Sequence, residues 1–277
     1  MKLVDTHQHL WDLQRFPYSW CAGIPALNRS FGLDDYLAAI KDTGIEKTVF
    51  MECDVDEPHA LAEAQHIQTL AENNSLIAGL VASARPERAD FPAQLEALLK
   101  LPKLRGIRRV LHVVRDEISQ TELFVENVRR LAAHNLTFDL CILARQLPLA
   151  VALARKCPDV QFVLDHCGCP EVKGRALDPW RSHITDLAAL PNVACKITGI
   201  VAYGESNWSV EALRPWVEYV IASFGWERVL WGGDWPVCTL TSTLRQWLEA
   251  SRELVGTATP EQQAALFHRN AERIYHV

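Results

Sequence analysis

No stretch of this 277-residue chain approaches the ~20 consecutive apolar residues that a membrane helix needs. Asp5 and His7 interrupt the first apolar run where a secretion signal would need continuity, so a cytoplasmic protein with no membrane partner is expected. A basic stripe is missing too. With 28 Lys and Arg against 34 Asp and Glu, the formal net charge is −6, which argues against a nucleic-acid footprint and favours a small-molecule partner. Eight cysteines are present but no Cys-X-X-Cys pair, so reduced thiols are expected, with Cys167 and Cys169 beside His166 as a spare metal candidate. No Gly-X-Gly-X-X-Gly loop follows the first strand, which removes the usual signature of a dinucleotide-binding open sheet. No Pro-, Gly- or Ser-rich linker and no block of like charge divides the chain, so residues 1–277 read as a single domain.

What is there is alternation. The first strand, Lys2 to His7, is followed by a long aromatic loop, a candidate lid, and then by a helix Asp35–Asp42 with Asp34 as its expected N-cap and a strand Lys47–Glu52. Helices are predicted at Ala60–Glu72, Pro92–Lys100, Leu123–His134, Leu147–Lys156, Pro179–Ala189 and Val210–Phe224, each leading through Pro, Asn or Gly into a β-rich apolar run. Continuous runs such as Val160-Gln161-Phe162-Val163-Leu164 suit strands covered on both faces. Eight strands in an α/β pattern of this length match a closed (β/α)8 TIM barrel, whose chemistry gathers at the C-terminal strand ends. His7, His9, Glu52, Arg108, His166, Lys196 and Asp234 fall at such ends.

Within VDTHQH, the period of two puts His7 and His9 on one strand face, where two imidazole nitrogens can converge on a metal ion or a carbonyl. A chance pair is the plain alternative. His166 ends the sixth strand and by parity shares a face with Leu164 and Phe162, opposite Asp165; a lone His there is more often a core residue than a ligand. Asp234 follows two glycines and precedes Pro236; its carboxylate can take a proton from water, or cap a helix, although the next helix begins nearer Thr241 or Ser242. Arg108, if it faces inward with Gly106, presents a fixed fork to a carboxylate or a carbonyl oxygen. Its charge would then meet a partner only in substrate, and replacing it should barely alter stability. Lys196 is a further substrate-binding candidate, unless it emerges on the helix-facing side. Tyr18, Trp20 and Trp11 wall a pocket or plug the barrel mouth.

Together VDTHQHLWD, GIR, LDHCGCP, CKITG and LWGGDWPV, in this order and spacing, resemble the amidohydrolase superfamily, in its lactonase-rich, amidohydrolase-related branch. The resemblance spans nearly the whole chain. It implies a (β/α)8 barrel and hydrolysis of a lactone ring in sugar acids, of the L-fucono- or L-rhamnono-lactone type, or in dicarboxylates. The fifth strand, LTFDLC, has no His where two-metal members carry one, so at most one divalent ion, zinc, would be held by His7, His9 and Asp234 with His166. Resembling lactonases include enzymes that work without a metal. In the mechanism inferred, Asp234 is the general base, the three histidines orient water and carbonyl, and Arg108 anchors the oxyanion or a substrate carboxylate. A metal-dependent decarboxylase of the same superfamily is the nearer rival; a catalytically silent binding barrel is the farther one.

Overall fold

A computed structural model of the chain describes residues 2–277. Eight strands lie in sequence order and pair in parallel: β1 Leu3–Gln8, β2 Ile45–Met51, β3 Ile77–Ser83, β4 Leu104–Val110, β5 Thr137–Cys141, β6 Gln161–Leu164, β7 Val193–Ile197 and β8 Val229–Trp231. Between and after them run α1 Leu33–Ile40, α2 Ala60–Asn73, α3 Phe91–Leu98, α4 Glu122–Arg129, α5 Leu147–Lys156, α6 Trp180–Ala188, α7 Val210–Phe224, α8 Leu244–Leu254, α9 Pro260–Ala264 and α10 Asn270–Tyr275. This is the (β/α)8 barrel the alternation predicts. Among the described residues no helix is long and apolar enough to cross a membrane.

Local chemistry fixes the helix starts. Thr121 Oγ1 accepts from Phe124 N at α4, and at α8 and α9 a Thr cap is paired with a Gln three residues on, Thr243 with Gln246 and Thr259 with Gln262. Asp34 is not a cap: α1 begins after Gly32, whose N–H donates to the Asp35 carboxylate, and Asp34 sits in the first turn. A carboxylate is equally at home there, beside the positive end of the helix dipole. The predicted Leu123–His134 helix tightens into a 3-10 turn over Arg130–His134 and stops at left-handed Asn135.

Two layers of apolar side chains result. Phe50, Leu80, Phe138, Phe162, Cys195 and Trp231 face the helices. The other faces of the strands, from Val4, Val49, Val81, Val163, Ala194 and Leu230, fill the barrel interior together with Ala271, Ile274 and Tyr275 of α10. The C-terminal helix therefore plugs the N-terminal end of the barrel. Val277 packs on Gly79, and Arg105 Nε donates to the His276 carbonyl.

The seam between β1 and β8 decides what the barrel can do. Asp234 N donates to His7 O at 2.7 Å, and His9 N donates to Trp235 O at 2.8 Å, which sets Asp234 beside both histidines. A register shift in β1 adds the second ingredient: Asp5 pairs with Thr48 and Gln8 with Phe50, so three steps along β1 oppose two along β2. Strict alternation from inward Val4 would point His7 and His9 outward; the extra residue reverses the phase and turns both inward. Asp5, before the shift, stays outside, where it accepts from Tyr36 Oη and from Gly233 N.

Candidate active site

Each imidazole in the barrel mouth has one nitrogen fixed by its surroundings or left open for chemistry. His9 Nδ1 lies 2.9 Å from the Met51 carbonyl, which can only accept, so Nδ1 carries the proton and Nε2 keeps its lone pair. That Nε2 lies 3.5 Å from Asp234 Oδ1, and His7 Nε2 lies 3.7 Å from the same oxygen. Asp234 is held at φ 53 after two glycines pressed by neighbours. A Cβ on Gly232 would stand 2.7 Å from His7 Cβ, and one on Gly233 would stand 2.7 Å from Asp5 Oδ2. Asp234 Oδ2 is buried and has no hydrogen-bond partner among the described residues.

His166 arrives by a different route from the one strand parity implies. Asp165, not His166, points into the barrel, where it meets Lys196, Arg108 and His7. Positive φ angles at His166, Cys167, Gly168 and Cys169 then curl the chain back. The His166 ring reaches His7 at a centroid distance of 4.5 Å, and its Nδ1 is buried and unpartnered among the described residues.

Arg108 faces inward as expected, toward His7 and Asp165, while the bare face of Gly106 admits Thr137: a Cβ there would stand 2.1 Å from Thr137 Oγ1. The fork, however, already has a partner. Arg108 Nε donates to Glu52 Oε1 at 2.6 Å and Nη2 donates to the Glu52 carbonyl, while Nη1 lies 3.4 Å from both Asp165 Oδ2 and His7 Nε2. The expectation that this charge waits for substrate is thus overturned by Glu52, whose carboxylate sits one residue past β2. Arg109 takes the outward face and pairs with Glu87 at 2.9 Å.

Lys196 also faces inward, with no exposed surface, enclosed by Asp139 Oδ2 at 2.7 Å and Asp165 Oδ1 at 3.1 Å. It is a group of the barrel interior, below the mouth, not one offered to a substrate. Tyr18 is buried and donates to Glu63 Oε1 at 2.9 Å, and Trp20 Nε1 donates to the Cys53 carbonyl at 2.7 Å. These two stand at the edge with their polar atoms engaged. Trp11 continues the row, 6.5 Å from His9 and 5.3 Å from Trp20 between centroids. The first loop is well packed, with Cys21 and Leu27 fully buried.

Asp165 and Asp139 carry as much of this cluster as the expected residues, and Glu52 gains a partner it lacked in the sequence. The signal available was a carboxylate inside an apolar strand, as in TFDLC and FVLDHC, where nothing but a buried counter-charge can accommodate it.

Burial dominates the electrostatics. It pushes His7 well below the usual imidazole range, His9 to about 3, and His166 down as well, so all three are neutral at neutral pH. The Asp234 carboxyl rises to about 6, again through burial, opposed by His166 and Arg108. Burial would raise Asp165 too, but Lys196 and His7 overcome it and hold that carboxyl well below the usual range. Neutral imidazole nitrogens and an unpartnered carboxylate oxygen are a donor set for a divalent cation. His7, His9 and Asp234 offer ligand atoms within 4.8 Å of one another, so the residues fit one zinc ion. A second triple, His7, Asp165 and His166, shares His7, and no cysteine joins either group among the described residues. All eight thiols are free.

The amidohydrolase family model matches residues 4–277. An L-fucono-1,5-lactonase of Burkholderia ambifaria is 28% identical, over 99% of this chain and 95% of its own length. A second L-fucono-1,5-lactonase, from Burkholderia multivorans, is 29% identical over 98% and 95%. Among solved structures, an amidohydrolase from Burkholderia multivorans with bound zinc superposes with a TM-score of 0.91, at 25% identity and with all of both chains covered.

Proposed function

The chain belongs to the amidohydrolase family, and from that premise we propose that it opens the ring of a small sugar-acid lactone, of the L-fucono-lactone type, with water as nucleophile. The observation that carries the reading is the convergence of His7 Nε2, His9 Nε2 and Asp234 on one point, with the buried Asp234 Oδ2 left without a hydrogen-bond partner among the described residues. The lactonase names of two relatives matched over nearly their full length supply the substrate class.

His7, His9 and Asp234 would hold a zinc ion, with His166 as a fourth group; bound there, zinc supplies Lewis acidity toward water and the lactone carbonyl. The chain's own groups do the rest. Asp234 accepts a proton as the water oxygen bonds to the carbonyl carbon. The Arg108 Nη1 donor, bound only weakly by Asp165 and His7, turns to the tetrahedral oxyanion. When the ring C–O bond breaks, the proton on Asp234 passes to the leaving oxygen, giving the hydroxy acid. Trp20 and Trp11, packed edge to face with centroids 5.3 Å apart, offer an apolar wall for the sugar.

A panel of sugar-acid lactones, followed by acid release with and without a chelator, tests the proposal. Ring opening of a sugar lactone, lost on chelation and restored by zinc, is expected. No hydrolysis across the panel, or release of carbon dioxide from a carboxylated substrate instead, would overturn it.

A further inference from the structure

Beneath the histidines, toward the plugged end of the barrel, lies a second row of polar groups that the hydrolysis does not touch. Tyr275, from the end of α10, donates to Asp139 Oδ2 at 2.5 Å. Lys196 Nζ donates to the same oxygen at 2.7 Å, and Thr137 Oγ1 donates to Asp139 Oδ1 at 2.8 Å. Above this row Lys196 Nζ lies 3.4 Å from His7 Nδ1. None of Tyr275, Asp139, Lys196, Asp165 or His7 is more than 1% exposed, so no water competes for these contacts.

His7 Nδ1 consequently faces two rivals at the same distance. Asp165 Oδ1, 3.4 Å away, can only accept; Lys196 can only donate. If Asp165 accepts the Nδ1 proton, Nε2 keeps its lone pair toward Asp234. If Lys196 donates to Nδ1, the imidazole proton must sit on Nε2, and that nitrogen can no longer bind a cation. Two observations favour the first arrangement. Asp165 Oδ1, beyond its ion pair with Lys196 at 3.1 Å, makes no hydrogen bond among the described residues and so has a lone pair left for the His7 proton, and Arg108 Nη1 approaches Nε2 as a donor, which calls for a lone pair there. Lys196 stays out of the contest while its shortest bond is directed down to Asp139, which Tyr275 and Thr137 hold in place.

We propose that Tyr275, Asp139 and Lys196 form a positioning relay that fixes the tautomer of His7, so that the C-terminal helix governs from the opposite end of the barrel whether His7 Nε2 can act as a ligand. The relay rests on the reading of His7 as a metal-holding group. Loss of the Tyr275 hydroxyl or of the Asp139 charge frees Lys196 to swing up to Nδ1 and closes Nε2 to metal.

Histidine-selective 15N NMR of the metal-free protein reads the tautomer directly, and competition with a chromophoric chelator reads zinc affinity. The wild type should show His7 protonated on Nδ1. In Asp139→Asn the Nε2-protonated form should appear and zinc should bind about 10- to 100-fold more weakly, the range for lost outer-shell support. Tyr275→Phe, which leaves every charge in place and so guards against a fold that fails without Asp139, should move both readouts in the same direction by less. The His9 signals should stay unchanged, because the Met51 carbonyl holds that ring independently. A His7 protonated on Nε2 in the wild type, or spectra and zinc affinity unaltered in both variants, would overturn the relay. A wild type with Nδ1-protonated His7, shifted in both variants, that nevertheless binds no zinc would uphold the relay and overturn the metal reading alone.

Discussion

Gly199 lies directly behind the His166 ring: a Cβ on Gly199 would stand 2.2 Å from His166 Nδ1, and its φ of +69° lies in the left-handed region. The glycine that ends CKITG thus belongs to the sixth-strand histidine. Gly199→Ala should push the ring off His7 and lower kcat/KM by up to about 10²-fold, the cost of displacing a positioned group by ~1 Å. Steady-state kinetics beside a circular-dichroism spectrum check this; normal kinetics in a folded variant would mean that the position of His166 does not matter to the reaction.

Asp234→Asn removes the proton acceptor while keeping the size of the side chain. Turnover should fall by roughly 10² or more with the fold intact. A folded variant of near-normal rate would take Asp234 out of the mechanism.

Arg108 has a structural as well as a functional role, since Glu52 and Asp165 depend on it for charge. Arg108→Ala should cost about 3–5 kcal/mol, the penalty for stranding buried partners, seen as a lowered urea midpoint. Adding Glu52→Gln should recover part of that loss without restoring activity. If the single variant unfolds like the wild type, the pair carries no stability.

Glu63, buried beneath Tyr18, has its carboxyl raised by burial to about 8, with Glu52 adding to the effect. It is therefore protonated in the folded protein and ionised in the unfolded chain between the usual carboxylate range and about pH 8. In that window the folded state binds the extra proton, so stability falls as pH rises, with a slope of at most ~1.4 kcal/mol per pH unit from this group. Glu63→Gln, which can still accept from Tyr18, should flatten the decline and be the more stable protein at pH 8. Parallel unfolding curves at pH 5.5 and 8 for the two proteins would refute the assignment.

Period and punctuation made the barrel legible in the chain. α5 and α7 run over the residues that their Leu147–Lys156 and Val210–Phe224 patterns predict, because each is an amphipathic segment between a capping residue or Pro and a stop. The shared face of His7 and His9 was legible for the same reason, as two residues apart in a strand always agree. Which face that is was not. It depends on one extra residue in β1, and an isolated strand carries no sign of where its partner's register slips. His166 shows the same limit, its side chosen by a left-handed turn that parity cannot foresee.

Near-neighbour spacing in the chain was enough for the α/β alternation, the strand ends at which polar residues collect, and the face that Gly106 and Arg108 share. The partners were set by the folded chain alone: Glu52 on Arg108, Asp139 and Asp165 on Lys196, and Tyr275 on Asp139 from the far end. The contacts from Glu52 to Arg108 and from Asp139 to Lys196 span 56 and 57 residues, and that from Tyr275 to Asp139 spans 136. A buried charge requires some counter-charge, but which one it meets is set by the closure of the barrel, and no local pattern encodes that.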